Sequence, residues 1–181
     1  MRVIAGIRKG LKLNAPEGTG TRPTTDRVKE SVFNIIQMHI PADRVLDLFA
    51  GSGALGIEAL SRRSSRCVFV EHERSSFGLI RQNIARAGFE DNAELIFKDA
   101  LLYLDTKPYP FDIIFLDPPY NKGLLAPALD KIAEHNLLTP DGIIVIETEK
   151  GGEDALHSAF EVARYTSYGK TVITILKQNT L

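Results

Sequence analysis

Apolar side chains change their spacing along the chain, and each change marks an element. Val28, Val32, Ile35 and Ile36 recur at helical spacing behind Thr24, Thr25 and Asp26, any of which can cap a helix. From Arg44 onward, short β-branched or aromatic runs alternate with helical patterns. The runs at 44–48 (RVLDL), 67–71 (CVFVE), 94–98 (ELIFK), 111–116 (FDIIFL) and 142–148 (GIIVIET) predict strands. Helical spacing fills 54–62, 74–87 and 124–135, with a shorter turn-rich piece at 99–104. Such alternation builds a parallel sheet with right-handed crossovers and helices on both faces. The runs at 161–167 and 171–177, separated by Tyr168-Gly169-Lys170, form a hairpin whose last strand runs antiparallel to the others. At the other end, Val3-Ile4-Ala5-Gly6-Ile7 and Leu11-Lys12-Leu13 flank the basic turn Arg8-Lys9-Gly10, which predicts a small hairpin followed by a loop at 16–23. The expectation is an α/β chain with a mostly parallel seven-stranded sheet, an antiparallel C-terminal hairpin strand and an N-terminal basic hairpin.

The 181 residues suit one domain, with residues 1–23 as an arm and loop and 24–181 as the core. A content of 44% hydrophobic and 25% charged residues is ordinary for a globular chain and excludes disordered, collagen-like and disulfide-scaffold classes. Ile113–Leu116 and Ile143–Ile146 fall far short of the ~20 apolar residues that span a bilayer, so no membrane partner is expected. Charge interrupts the N-terminus before a signal-peptide core could form, and Cys67 is the only cysteine, which predicts a reducing, cytoplasmic setting. Cys67 lies in an apolar run and reads as a small buried hydrophobe.

The net charge of −1 divides into +5 over residues 1–29 and −6 over the remainder. Arg2, Arg8, Lys9, Lys12, Arg22 and Arg27 are thus candidates for contact with a polyanion, because phosphate neutralisation needs clustered cations rather than net charge. Charge alone is equally compatible with a solvated face. If the arm binds nucleic acid, removing residues 1–14 is expected to spare the rest of the chain.

Gly51, Gly53 and Gly56 spell G-x-G-x-x-G between the first strand and a helix, which implies a nucleotide-type ligand. Asp47, Phe49, Ala50, Gly51, Ser52, Gly53 and Gly56 are the candidate contacts of this loop. Asp47 would stand close to a pyrophosphate, an unfavourable arrangement that favours a cationic ligand instead. S-adenosylmethionine, with its sulfonium and ammonium, fits. Glu71 at the second strand end suits ribose hydroxyls. Asp99 can take an adenine amino group beside the Ala100 backbone, or can simply cap a helix.

Asp117-Pro118-Pro119-Tyr120 sits where the fourth strand ends. Two prolines cannot continue a ladder and stiffen the turn. A carboxylate and a carbonyl held at fixed spacing can accept both hydrogens of an exocyclic amine, and Tyr120 can stack on the base that carries it. His39, His72, His135 and His157 lack metal spacing and are assigned no role; no metal is expected.

The combination of DLFAGSGALGIEALSR at 47–62, LDPPY at 116–120 and RPTTDRVKESVFNII at 22–36 resembles the RsmD-type 16S ribosomal RNA guanine-N2 methyltransferases. The likeness extends over almost the whole chain, including RVIAGIRKGLKL at 2–13. It implies the Rossmann-like class I methyltransferase fold and methylation of a guanine exocyclic amine with S-adenosylmethionine. The implied partner is ribosomal RNA in an assembled or assembling small subunit, and a monomer is favoured. The DPPY element is shared with DNA adenine and cytosine amino-methyltransferases, so DNA adenine-N6 methylation stands as an alternative. A nicotinamide-dependent oxidoreductase and a non-enzymatic RNA-binding module are further alternatives, the former disfavoured by Asp47.

Overall fold

The structure is a computed structural model that describes residues 1–15, 23–119, 122–151 and 158–179. Chain order is α1 (Pro23–Ile35), β1 (Arg44–Asp47), α2 (Ala54–Ser61), β2 (Arg66–Glu71), α3 (Arg74–Ala87) and β3 (Ala93–Phe97). There follow α4 (Ala100–Leu104), β4 (Phe111–Leu116), α5 (Leu125–Glu134), β5 (Leu138–Glu149), β6 (Phe160–Tyr168) and β7 (Thr171–Gln178). The strands form one sheet in the order β3-β2-β1-β4-β5-β7-β6. β1 to β5 pair in parallel, while β7 inserts antiparallel between β5 and β6, in agreement with the expected C-terminal hairpin. The order reverses between β1 and β4. Such a switch point opens a crevice at the carboxyl ends of the strands, where ligands of α/β sheets bind.

Two boundaries differ from the sequence expectation by more than one residue. α1 begins at Pro23, a residue pre-organised for the first helical position, so Asp26 lies inside the first turn and holds Arg2 instead of capping. β5 begins at Leu138 rather than 142, because Leu138 pairs with Phe111 before the register shifts around Thr139-Pro140-Asp141 and resumes at Ile143. The apolar alternation starts only after that irregularity, so periodicity sees half the strand.

Each face of the sheet has its own core. Val32, Phe33, Ile57, Ile80 and Ile84 from α1, α2 and α3 cover one face, with the Phe33 and Phe115 rings 5.7 Å apart. Leu104, Leu129 and Ile132 from α4 and α5 cover the other. Cys67 is buried in the first core, and burial pushes its thiol well above the ordinary range.

The N-terminal hairpin forms around a single Arg2–Lys12 antiparallel bridge, with Val3 N–H donating to Leu11 O (2.9 Å) and Leu13 N–H to Met1 O (3.0 Å). It is not separable from the body, contrary to the expectation from its charge. Val3 and Leu13 belong to the first core, and the wholly buried Glu58 of α2 accepts from the N–H groups of Ile4 (2.7 Å) and Ala5 (3.0 Å). The same carboxylate pairs with Lys29 (3.3 Å) and Arg62 (2.9 Å). Gly6 has φ +83°, and a Cβ there would stand 1.9 Å from the Ser61 carbonyl oxygen, so the arm lies backbone to backbone against α2. Deleting residues 1–14 would leave the Lys29 and Arg62 pairs in place but strip Glu58 of two N–H donors and Lys29 of the Arg2 carbonyl, and leaving a buried charged group short of a hydrogen bond costs about 1–3 kcal/mol or more.

Candidate active site

The glycine loop follows from where two strand-end carboxylates and one helix side chain reach. Gly51 (φ +55°) and Gly53 (φ +77°) adopt left-handed backbone, which glycine enters at least cost. Gly56 serves packing: a Cβ there would fall 2.3 Å from the Phe69 ring and 2.6 Å from the Cys67 sulfur, so α2 can lie against β2 only with glycine at this position. Asp47 Oδ2 accepts from Gly56 N–H (3.0 Å). Glu71 Oε2 accepts from Gly51 N–H (3.0 Å) while its Oε1 accepts from Glu73 N–H (2.7 Å). Asn83 of α3, fully buried, donates to Ser52 O (2.9 Å) and Asn14 O (3.0 Å) and accepts from Asn14 N–H (2.8 Å). One side chain therefore links the glycine loop to the end of the arm.

Two cavities meet at the switch point. A cleft of about 350 Å³ is lined by Leu48, Phe49, Gly51, Val70, Glu71, His72, Lys98, Ala100 and Asp117-Pro118-Pro119. A smaller cavity of about 140 Å³ is lined by Met1, Lys29, Asp47, Phe49, Ala50, Gly51, Ser52, Ala54, Leu55, Asp117 and Glu147. Asp117 is a wall common to both. Neither the Asp117 nor the Glu147 carboxylate has a hydrogen-bond or ion-pair partner among the described residues. The prolines explain part of this: a strand-end aspartate ordinarily accepts from backbone N–H groups just beyond it, and Pro118 and Pro119 have none to offer.

Charge accumulates here. Burial pushes Asp47 up to about 7, against the Gly56 hydrogen bond and with added repulsion from Glu71. Asp117 opens to the cleft, yet protein atoms crowd it and strip away water. That desolvation, followed by repulsion from Glu147 and Asp47, holds its carboxyl well above the usual carboxylate range. Desolvation raises Glu147 as well. The cation lining the smaller cavity, Lys29, is already spent on Glu58 and on Arg2 O (2.6 Å).

The structure thus brings Asp47, Phe49, Ala50, Gly51, Ser52, Glu71, Ala100, Asp117, Pro118 and Pro119 to one crevice, while Gly53 and Gly56 shape the loop and helix behind it. Asp99 lies between the lining residues Lys98 and Ala100 and caps α4, its Oδ1 accepting from Leu101 N–H (2.9 Å) and Leu102 N–H (3.1 Å). Tyr120 and Arg22 lie outside the described residues. Sequence reading missed His72, Lys98, Glu147 and Asn83. The first three stand at or just beyond strand carboxyl ends, so their positions were a usable signal; Asn83 had none. Of the basic residues on the arm side, Arg8 donates to Ala87 O and lies over the Phe89 ring at 5.7 Å. Arg2 pairs with Asp26, while Lys9, Lys12 and Arg27 are exposed. Among the described residues no three His, Cys, Asp or Glu side chains are grouped to hold a metal, and no helix is long and apolar enough to cross a membrane.

Comparisons with known proteins agree with this geometry. The family described as conserved hypothetical protein 95 matches residues 1–177. YlbH of Bacillus subtilis, provisionally named an rRNA methyltransferase, is 41% identical over 98% of this chain and 99% of its own. The ribosomal RNA small subunit methyltransferase D of Haemophilus influenzae is 39% identical over 83% of this chain and 79% of its own. The structure of yhhF from Escherichia coli, provisionally named a methyltransferase, superposes with a TM-score of 0.88 at 30% identity, covering 100% of this chain and 99% of that one. A glycine loop braced by carboxylates, a proline-stiffened Asp117 and these likenesses over nearly the full length converge: the chain belongs to the conserved hypothetical protein 95 family, which it shares with the small subunit methyltransferase D proteins.

Proposed function

We propose that this protein methylates the exocyclic N2 amine of a guanine in small-subunit ribosomal RNA, using S-adenosylmethionine. The observation that carries the reading is Asp117: a carboxylate without a partner among the described residues, followed by two prolines on the wall between two cavities. The crevice fits the cofactor. Gly51 lines both cavities, and a Cβ added there would meet no protein atom within 4 Å, which leaves that space for a ligand. When bound, the cofactor supplies an electrophilic methyl group on a sulfonium.

The chain's own residues do the rest. Glu71, oriented by the N–H groups of Gly51 and Glu73, retains lone pairs for ribose hydroxyls. The Ala100 backbone stands at the adenine end of the cleft. Asp47, held by Gly56, is an acceptor on the methionine side, where the cofactor's ammonium would favour its ionised form. Asp117 and the Pro118 carbonyl accept the two hydrogens of the target amine and aim its lone pair. Once the nitrogen carries the methyl group its proton is strongly acidic, so Asp117 or water can take it. Tyr120 stacks on the base, and Lys9, Lys12, Arg22 and Arg27, with Arg2 and Arg8, face RNA phosphates. A chain of this size reads RNA shape more than sequence, so an assembled or assembling subunit is the better substrate. Nucleoside mass spectrometry of ribosomal RNA from cells with and without the protein is expected to show loss of one N2-methylguanosine from the small subunit. An unchanged N2-methylguanosine content, or loss of a different methylated nucleoside, would overturn the reading.

A further inference from the structure

Glu147 has no part in the scheme above, and its position asks for one. Phe115 and Val145 pack into the core beneath α1 to α3, whereas Leu116 and Ile146, which pair with each other, pack into the opposite core. Side chains alternate along a strand, so Asp117 and Glu147, two residues beyond Phe115 and Val145, project to the same face at the same height. They line one cavity there. Both carboxylates lack a protein partner among the described residues, and Lys29, which lines the same cavity, is committed to Glu58. Asp117 is exposed to the cleft and Glu147 is half-buried beside it, so a ligand that enters meets two adjacent acceptors and is favoured where it brings the hydrogens.

We infer that Glu147 is a specificity-determining residue that accepts a hydrogen bond from guanine N1–H while Asp117 holds the neighbouring N2 amine. The inference rests on the guanine reading above and adds the means of selection. Enzymes that act on an extruded base read its Watson–Crick edge. On guanine that edge places an N–H directly beside the amine, a row of donors that suits two adjacent carboxylates. Adenine and cytosine present their amines beside an unprotonated ring nitrogen, whose lone pair a carboxylate repels. Selection against the wrong base is therefore built as repulsion as well as attraction.

The test uses the full-length protein and small subunits reconstituted with synthetic RNA. The methylated guanine is mapped by mass spectrometry and replaced by 2,6-diaminopurine, which keeps the 2-amino group and turns N1–H into an acceptor. The wild-type protein is expected to prefer guanine by about 10- to 100-fold in kcat/KM, the span set by one well-placed pair of hydrogen bonds. Glu147→Gln, whose amide can present either N–H or oxygen, is expected to cut that preference by about tenfold or more while leaving cofactor Kd unchanged. Equal wild-type rates on the two bases would overturn the inference without recourse to any variant. An unaltered preference in Glu147→Gln would overturn it too, as would a loss of cofactor affinity that accounts for the loss of rate. Methylation by the wild-type protein at an amine other than guanine N2 would instead bring down the guanine reading, and Glu147's role with it.

Discussion

The loop after β1 and the turn after β4 lie side by side at the switch point, and they treat their polar groups in opposite ways. In the β1 loop, Gly51 and Gly56 N–H and Ser52 O are each held by a side chain from another part of the chain. After β4, Asp117 is left open, its backbone neighbours Pro118 and Pro119 having no N–H to give. The first region is built before any ligand arrives, so little ordering remains to oppose cofactor binding. The second stays unsatisfied until an amine enters, so its interactions are made only with the reacting group.

Substitutions on the open side are expected to give the largest effects, and to act on rate alone. Asp117→Ala should lower single-turnover methyl transfer by about 10²–10³-fold or more, the scale for removing one aimed polar group from an active site, with cofactor Kd nearly unchanged by calorimetry. A parallel loss of cofactor affinity would erase the distinction between the two regions.

On the braced side the order reverses, binding and stability changing before chemistry. Glu71→Ala is expected to weaken cofactor binding by about 1–3 kcal/mol, since Gly51 and Glu73 N–H lose their acceptor along with any ligand hydroxyl. Asn83→Ala removes a side chain whose hydrogen bond to the site runs through Ser52 O, and sharpens the test. It should cost about 1–3 kcal/mol of stability in urea unfolding from three backbone groups left unpaired, one in a buried hydrogen bond and two in half-buried ones. If its cofactor Kd rises as well, bracing of the loop is confirmed as a binding determinant; an unchanged Kd would confine Asn83 to structure.

The smallest effect concerns Asp47, which belongs to both regions because it braces Gly56 and repels Asp117. In the folded chain its carboxyl keeps a proton up to about pH 7, whereas unfolded it releases it near 3.8. The folded state binds more protons in that window, so this group's contribution to stability is greatest below it and is lost as pH rises through it. Asp47→Asn, which can still accept from Gly56, should make melting temperature less dependent on pH between about 4 and 7. Identical slopes for both proteins would show that the burial of Asp47 carries no such linkage.

How much of this was legible beforehand depends on the distance over which each feature is encoded. Strand and helix order, the glycine loop and the proline turn are local: each is written within a few residues, in a period of 2 or 3.6 or in the backbone limits of glycine and proline. From them the α/β sheet, its antiparallel end and the ligand edge followed, and so did Asp47, Glu71 and Asp117 as residues at that edge. Asp99 shows the limit of local reading, since a strand-end aspartate before a helix suits a ligand and a cap equally, and the fold adds that the cap is made, by one carboxylate oxygen.

What the tertiary structure alone decided is partnership across the chain. Lys29 counted toward a basic arm until the fold placed it beside Glu58, and Asn83 was one polar residue on an amphipathic helix until it met Asn14 and Ser52. Glu147 was the polar end of an apolar run, and its meaning came from standing level with Asp117 on the neighbouring strand. The sequence by itself determined which elements form and which edge of the sheet receives a ligand, because both depend on short-range periodicity and chain stiffness. Which charges are neutralised and which are left waiting depends on contacts between residues 20 to 70 positions apart, and no local pattern records those.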